Sequence, residues 1–481
     1  MAGYGAFCYC NLNRIDGVKS MSSRSLWFAP ISWSLVSALA LPILCCAPVR
    51  ADQMEEKRRA EVGLKPGDTV DKSSAGALAE GLLPPEILEA YKRGDWSNKI
   101  ADWPEGKQTY EAEFVAATKE NAETLEVNSI GGIIDKRTGK QPPRILGFPF
   151  PNIDPKDPNA GVKVYWNFEY MYFNQGNSKN FVDLVWVNRT GIDRVSGQEV
   201  YFFYYDGQKP KYLPKNNPQN LLMQFIATAT SPQDLYGTTA LGWRYRDPGQ
   251  RDSVWAYVPA LRRIRATSPS NRSDGFLGSD MSQDDGPFFD GKPEDFTWKL
   301  VGETEIYRLA DPLSLEGKFT RSPLPDGGWR TKFASGPIAA FEDPNWKGAA
   351  WAPLSPVLAK RKCWIVEAVP KDKYYLYGKV QLYIDKENYE GAWNRKFSWT
   401  GELLNTYIAA GFRNAESVAP DGAHEWFWGA NLAYQAALNL KMDRATVSGF
   451  PLKNRENAVN DRRMMYDPSF FDYQTLYRFG K

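Results

Sequence analysis

Histidine is nearly absent from this chain: 481 residues contain one, His424. Imidazole is the commonest general base and metal ligand, so a single copy removes His-based metal centres and most nucleophile–His couples. His424 stands in Ala-His-Glu-Trp-Phe-Trp-Gly, beside three large hydrophobes and with no nucleophile at a recognised spacing. It reads as a packed side chain. Cysteine is also scarce. Four of the five, Cys8, Cys10, Cys45 and Cys46, lie in the first 51 residues. A chain shortened there keeps only Cys363, which excludes an internal disulfide and a thiolate zinc site. Excess charge of one sign is missing: Lys+Arg is 59 and Asp+Glu is 57. Nucleic acid needs a basic face, so it is not an expected partner. Gly-rich phosphate loops, G-x-S-x-G elbows and H-E-x-x-H stretches are absent. With 43% hydrophobic and 14% aromatic residues, the chain is neither disordered nor collagen-like nor a polytopic membrane protein.

What is present begins with an export signal. No residue from Ser25 to Val49 is charged, and Lys19 and Arg24 precede the stretch. It ends in Val49-Arg50-Ala51, a small-x-small cleavage pattern. Residues 1–51 therefore read as a cleaved signal peptide. A retained N-terminal anchor is the alternative, because about 18 apolar residues can span a bilayer, but Pro30, Pro42 and Pro48 break the run. A start at Met21 would leave a signal of ordinary length. Cleavage removes Arg14, Lys19, Arg24, Arg50 and Asp16, leaving 55 basic and 56 acidic residues.

Residues 52–161 read as a lead segment with two helices and a Pro/Gly-rich loop at 135–161. Pro84-Pro85 opens the first helix and Gly94 closes it. Lys107–Leu125 is the second, with Tyr110 and Phe114 at i,i+4. Residues 162–481 read as a β-rich unit on which 82–161 pack, the whole being one folded unit. Val162–Tyr172 is expected to be a strand by its aromatic composition, lying between two apolar layers. Later strands are expected at Phe181–Val187, Glu199–Tyr205, Leu241–Arg246, Asp252–Val258, Thr297–Leu309, Lys362–Val369, Tyr377–Ile384 and Ala392–Trp399. Val380, Leu382 and Ile384 alternate with Lys379, Gln381 and Tyr383, the mark of a sheet with one covered and one wet face. The fold class is mainly β with a few helices (α+β), built on a large curved antiparallel sheet.

Two stretches carry possible chemistry. Asp280, Asp284 and Asp285 form an acidic loop with Asp290. It resembles a calcium loop only loosely, because Gly286 comes one place late and Gly291 stands where a bidentate Glu is needed. Solvated turn chemistry accounts for it more cheaply. The other stretch is Trp255-Ala-Tyr257-Val-Pro259, followed by Arg262, Arg263 and Arg265. Its plainer reading is a structural hairpin whose arginines pair with those aspartates at the surface.

This second stretch, with Gly278-Ser-Asp280 through Asp284-Asp285 and with Cys363-Trp364-Ile-Val-Glu367 before Val380–Asp385, resembles the lipoprotein-sorting carriers of the Gram-negative periplasm. Over most of its length the chain resembles a larger periplasmic family, domain of unknown function thirteen twenty-nine. The resemblance implies a half-open β-barrel closed by helices, a hollow for acyl chains, a periplasmic location and work beside an inner-membrane exporter of the resistance-nodulation-division (RND) type or an outer-membrane protein. No cofactor is implied. The chain is longer than those carriers.

The expected function is a non-enzymatic carrier or chaperone for a lipid or other hydrophobic molecule. A carrier in an aqueous compartment must supply a concave apolar surface, and aromatic side chains bury large areas with few rotamers to freeze. Trp166, Phe168, Tyr170, Trp255, Tyr257 and Trp364 are the expected lining, and Arg262, Arg263 and Arg265 the expected headgroup contacts. Two alternatives stand beside it. One is a structural or adaptor protein of a cell-envelope complex. The other is a polysaccharide-active enzyme using an Asp/Glu pair, which needs two acids at a set separation.

Overall fold

The computed structural model describes residues 64–78, 81–103, 110–315, 321–333, 335–411, 415–418, 422, 424–427 and 432–480. The segment expected to be an export signal, residues 1–51, and the His424 side chain lie outside the described residues. Residues 55–481 form one compact unit. No helix among the described residues is long and apolar enough to cross a membrane.

One antiparallel sheet dominates. Its long strands are β1 (Ser178–Asn188), β2 (Gly191–Tyr204), β3 (Leu221–Ala229), β4 (Thr239–Tyr245), β5 (Ser253–Val258), β6 (Arg263–Thr267), β7 (Phe296–Ala310), β8 (Val357–Pro370), β9 (Lys379–Asp385), β10 (Gly391–Phe397), β11 (Leu403–Gly411), β12 (Leu432–Asn439) and β13 (Arg444–Ser448). Their order across the sheet is β6-β5-β4-β3-β2-β1-β13-β12-β11-β10-β9-β8-β7. Two meanders of consecutive strands therefore meet where the first strand pairs with the last, Val187 opposite Ala445. The free edges, β6 and β7, are consecutive in sequence, and residues 268–295 connect them. The sheet is not closed, and the architecture is a half-open barrel. A short strand, Asn460–Arg462, pairs with the start of β1 beside the β1–β13 contact.

Three helices matter here: α1 (Pro85–Arg93), α2 (Ala112–Thr124) and α3 (Ala160–Asn174). α1 follows its sequence signals: proline opens it and Gly94 ends it in the left-handed region at φ 82°, where glycine pays no Cβ penalty. It packs Ile87 and Tyr91 on the outer face of the sheet, in one cluster with Cys363, Tyr383, Trp393, Ile408 and Tyr434. Arg395 pairs with Glu86 of this helix at 2.8 Å. The second face of β9, expected to be wet, is thus partly covered by α1.

α3 corrects the strand expected at Val162–Tyr172. Aromatic composition suggested a strand, yet 14 of its 15 residues are buried. A helix buried all round has no polar stripe, so its 3.6-residue period leaves no trace in the sequence. The run does lie against apolar material on every side, as expected. In helical geometry residues at i,i+4 share a face. Trp166, Tyr170 and Phe173 therefore pack with Tyr204, Leu222, Met223 and Phe225. Tyr165, Phe168 and Tyr172 pack instead with Trp364, Val366, Leu382, Ile384 and Tyr407. Each such ring contributes about 1.5–3 kcal/mol by leaving water, so α3 is held as core on the inner face.

Candidate ligand-binding hollow

Inner-face residues beside the end of α3 enclose an open hollow. Strand alternation builds its floor: Ser178, Asn180, Val182 and Leu184 of β1, then Gln198, Val200, Phe202 and Tyr204 of β2, then Phe225 and Ala227 of β3. Successive side chains of a strand point to opposite faces, so each of these series is one face. Register sets them in rows. Arg462, Ser178, Phe202 and Phe225 stand opposite one another, and Asn460, Asn180, Val200 and Ala227 form the next row. The segment joining the two sheet edges forms the roof with Phe276, Met281, Gln283 and Pro287. The hollow holds about 1150 Å³ free of protein atoms, its open mouth included.

Buried charges hold the roof. Arg272 binds Asp284 at 2.6 Å and Asp290 at 2.5 Å. Arg244 of β4 binds Asp252 and Asp290, each at 2.9 Å. Tyr375 donates its hydroxyl to Asp284 at 2.6 Å. Lys396 of β10 pairs with Asp285, both side chains buried, and Arg444 binds Asp280 at 3.0 Å. Burial pushes the Asp252 carboxyl up, but the charges of Arg244 and Arg272 outweigh it and leave the group below its usual range. Burial lifts Glu169 of α3 to about 8, against the opposing charge of Arg244.

These pairs correct two expectations for the acidic loop. Asp280, Asp284 and Asp285 are buried and bonded to three different cations, which leaves them neither a solvated turn nor a convergent calcium cage. Among the described residues no three metal-ligating side chains cluster. The arginines of the hairpin are not their partners. Arg262, Arg263 and Arg265 are exposed on edge strand β6 and the turn before it, where charge discourages pairing with another chain.

The aromatic residues expected as lining divide differently. Trp166, Phe168 and Tyr170 are core of α3. Trp255 meets Trp243 edge-on at 5.1 Å and Tyr473 at 6.0 Å. Tyr257 meets Tyr477 at 5.5 Å, so both cover the C-terminal segment. Trp364 lines a second recess with Ile153, Glu303 and Tyr389, where Lys386 Nζ sits 3.9 Å from its ring centroid. That recess holds about 1350 Å³ free of protein atoms, its open mouth included. It is the more open of the two and its rim carries charged tips, so it would desolvate an apolar guest poorly. The smaller hollow is the better candidate. Sequence reasoning missed its floor, although Ser178-x-Asn180-x-Val182-x-Leu184 already shows one face turning from polar to apolar.

An uncharacterized protein of Pseudomonas aeruginosa, PA3922, is 27% identical over 247 residues, which are 48% of this chain and 50% of that protein. The chain thus spans about half the length of that relative. Among solved structures, a DUF1329 family protein from Desulfovibrio piger is 16% identical with a TM-score of 0.43, covering 67% of this chain and 99% of that one. LolA superfamily protein NE2245 from Nitrosomonas europaea is 12% identical with a TM-score of 0.36, covering 64% and 96%. The family model described as protein of unknown function (DUF1329) matches residues 80–476, and the chain belongs to that family.

Proposed function

We propose that this protein is a non-enzymatic carrier or chaperone that shelters a lipid or other hydrophobic molecule in the periplasm, serving an inner-membrane exporter of the RND type. The observation that carries this reading is the hollow between β1–β3 and the edge-joining segment, with Val182, Leu184, Val200, Phe202, Phe225 and Met281 around it. A concave, largely preformed apolar surface is what a small hydrophobic guest requires. Roofing by one loop gives the guest a way in and out without unfolding the sheet. The acids a polysaccharide-active enzyme would draw from the 280–290 segment are each occupied by an arginine or lysine, which favours a binding role.

The test is direct. The protein is purified from the periplasmic fraction, extracted with organic solvent, and the extract analysed by mass spectrometry. A lipid at near-stoichiometric amount supports the proposal, as does displacement of that lipid by a fluorescent fatty probe. Protein that is free of lipid and ignores such probes overturns it.

A further inference from the structure

The hollow is not uniformly oily. Of its lining residues only Arg462 and Asp290 carry charge, and Asp290 is already held by Arg244 and Arg272. Arg462 is different. Its side chain donates to Gln175 Oε1 at 2.9 Å, to Asn180 Oδ1 at 2.5 Å and to the Asp461 carbonyl at 2.9 Å. All three acceptors are neutral. The neighbouring Asp461 carboxylate is engaged by Arg330 at 2.7 and 2.8 Å. The other buried arginines, Arg244, Arg246, Arg272, Arg308, Arg361 and Arg463, each hold a carboxylate. Arg462, only 5% exposed, has none among the described residues.

A buried cation without a counter-charge is costly. Burial holds the Arg462 guanidinium down at about 10, with Tyr204 and Asp461 opposing. Two further polar atoms at the wall, Gln198 Oε1 and Gln283 Nε2, have no hydrogen-bond partner among the described residues. The register then orders the chemistry. Arg462 lies three strand steps from Phe225, roughly 14 Å at 4.7–4.9 Å per step, with Phe202 between.

We propose that the hollow takes a single-chain amphiphile whose anionic head, a carboxylate or a phosphate, seats on Arg462 while its apolar chain lies along Val200, Phe202, Phe225 and Ala227. This rests on the carrier reading above and specifies its cargo. Nε and both Nη1 protons of the guanidinium are engaged, which leaves the two protons of Nη2 to meet either head, and the missing counter-charge arrives with the guest.

The test uses the delipidated protein and three fluorescent probes of one chain length, ending in a carboxylate, a phosphate or an alcohol. At least one anionic probe is expected to bind about tenfold tighter than the alcohol, the ratio expected of one charge-assisted hydrogen bond. The carboxylate and phosphate arms tell which head is preferred. Arg462→Gln should bring the ratio of anionic-probe to alcohol affinity close to one, while Arg462→Lys should retain part of the preference. Equal affinity for all three probes in the unaltered protein overturns the headgroup assignment but leaves the carrier reading standing. Binding of none overturns both. Should Arg462→Gln fail to fold, the three-probe ratio in the unaltered protein decides alone.

Discussion

Removing the negative charge of Asp285 would isolate a cation in the core. Lys396 and Asp285 are 1% and 0% exposed, and the Tyr377 and Tyr407 rings lie 5.2 and 5.6 Å from the ammonium. Asp285 also accepts from the Ser282 amide and hydroxyl at 2.7 and 2.9 Å. Breaking a buried pair from one side costs about 3–5 kcal/mol. Asp285→Asn should fall near the lower end, about 3 kcal/mol, because Asn keeps an acceptor for Ser282 and the two rings still face the ammonium. Replacing both partners, Asp285→Asn with Lys396→Met, should recover most of the loss, since no orphan charge remains. Burial, opposed by Asp285, already holds Lys396 below its usual range. Without Asp285 the folded state disfavours the ammonium further, while the unfolded chain titrates near about 10.4. The destabilisation is therefore largest at low pH and shrinks as pH rises toward that value. Denaturant unfolding from pH 6 to 10, read as midpoint and slope, checks both points. A single variant within about 1 kcal/mol of the parent, with no pH trend, would refute the reasoning, because Lys396 would then be reaching water.

Four further outcomes follow from the packing. Glu169 titrates near 8 when folded against a usual 4.5, so the folded state holds the extra proton between those values and stability falls as pH rises through them. Glu169→Gln should flatten that decline, and an unchanged slope in unfolding free energy against pH would count against it. A Cβ on Gly242 would lie 1.9 Å from the Phe225 ring. Gly242→Ala should push that ring toward the hollow, cost about 1–3 kcal/mol and reduce fatty-probe stoichiometry. Phe168→Ala should cost about 3–5 kcal/mol with probe affinity retained, because the ring is core and not lining. The Cys363 thiol is buried and pushed well up by that burial. It should react with a thiol reagent only as fast as the sheet unfolds, and fast native labelling would contradict its placement.

Most of the sheet was legible because its signals are local. Val380, Leu382 and Ile384 announce a covered face by period alone, and Pro85 with Gly94 brackets α1 without reference to the rest of the fold. α3 was illegible for the opposite reason. Residues 160–174 are enclosed by the sheet and the roof at every position but Lys163, and one half-buried charge is too little to mark one face from another. The hollow was harder still. Its character comes from Arg462 lying opposite Ser178 and from Phe202 lying opposite Phe225, pairings that register creates and that no single strand contains. The acidic loop misled in a related way: Asp284 and Asp285 look like surface turn residues until Arg272 and Lys396 arrive from elsewhere in the chain.

The meeting of β1 with β13 bears on how the molecule is made. Val187 finds Ala445 only after nearly the whole chain has been synthesised, and long-range pairings of this kind are slow to form. Until then each meander carries an extra bare edge, the condition in which β-rich chains stick to their neighbours. A folding helper that guards the β1 edge would therefore matter most in the interval before the last strands emerge.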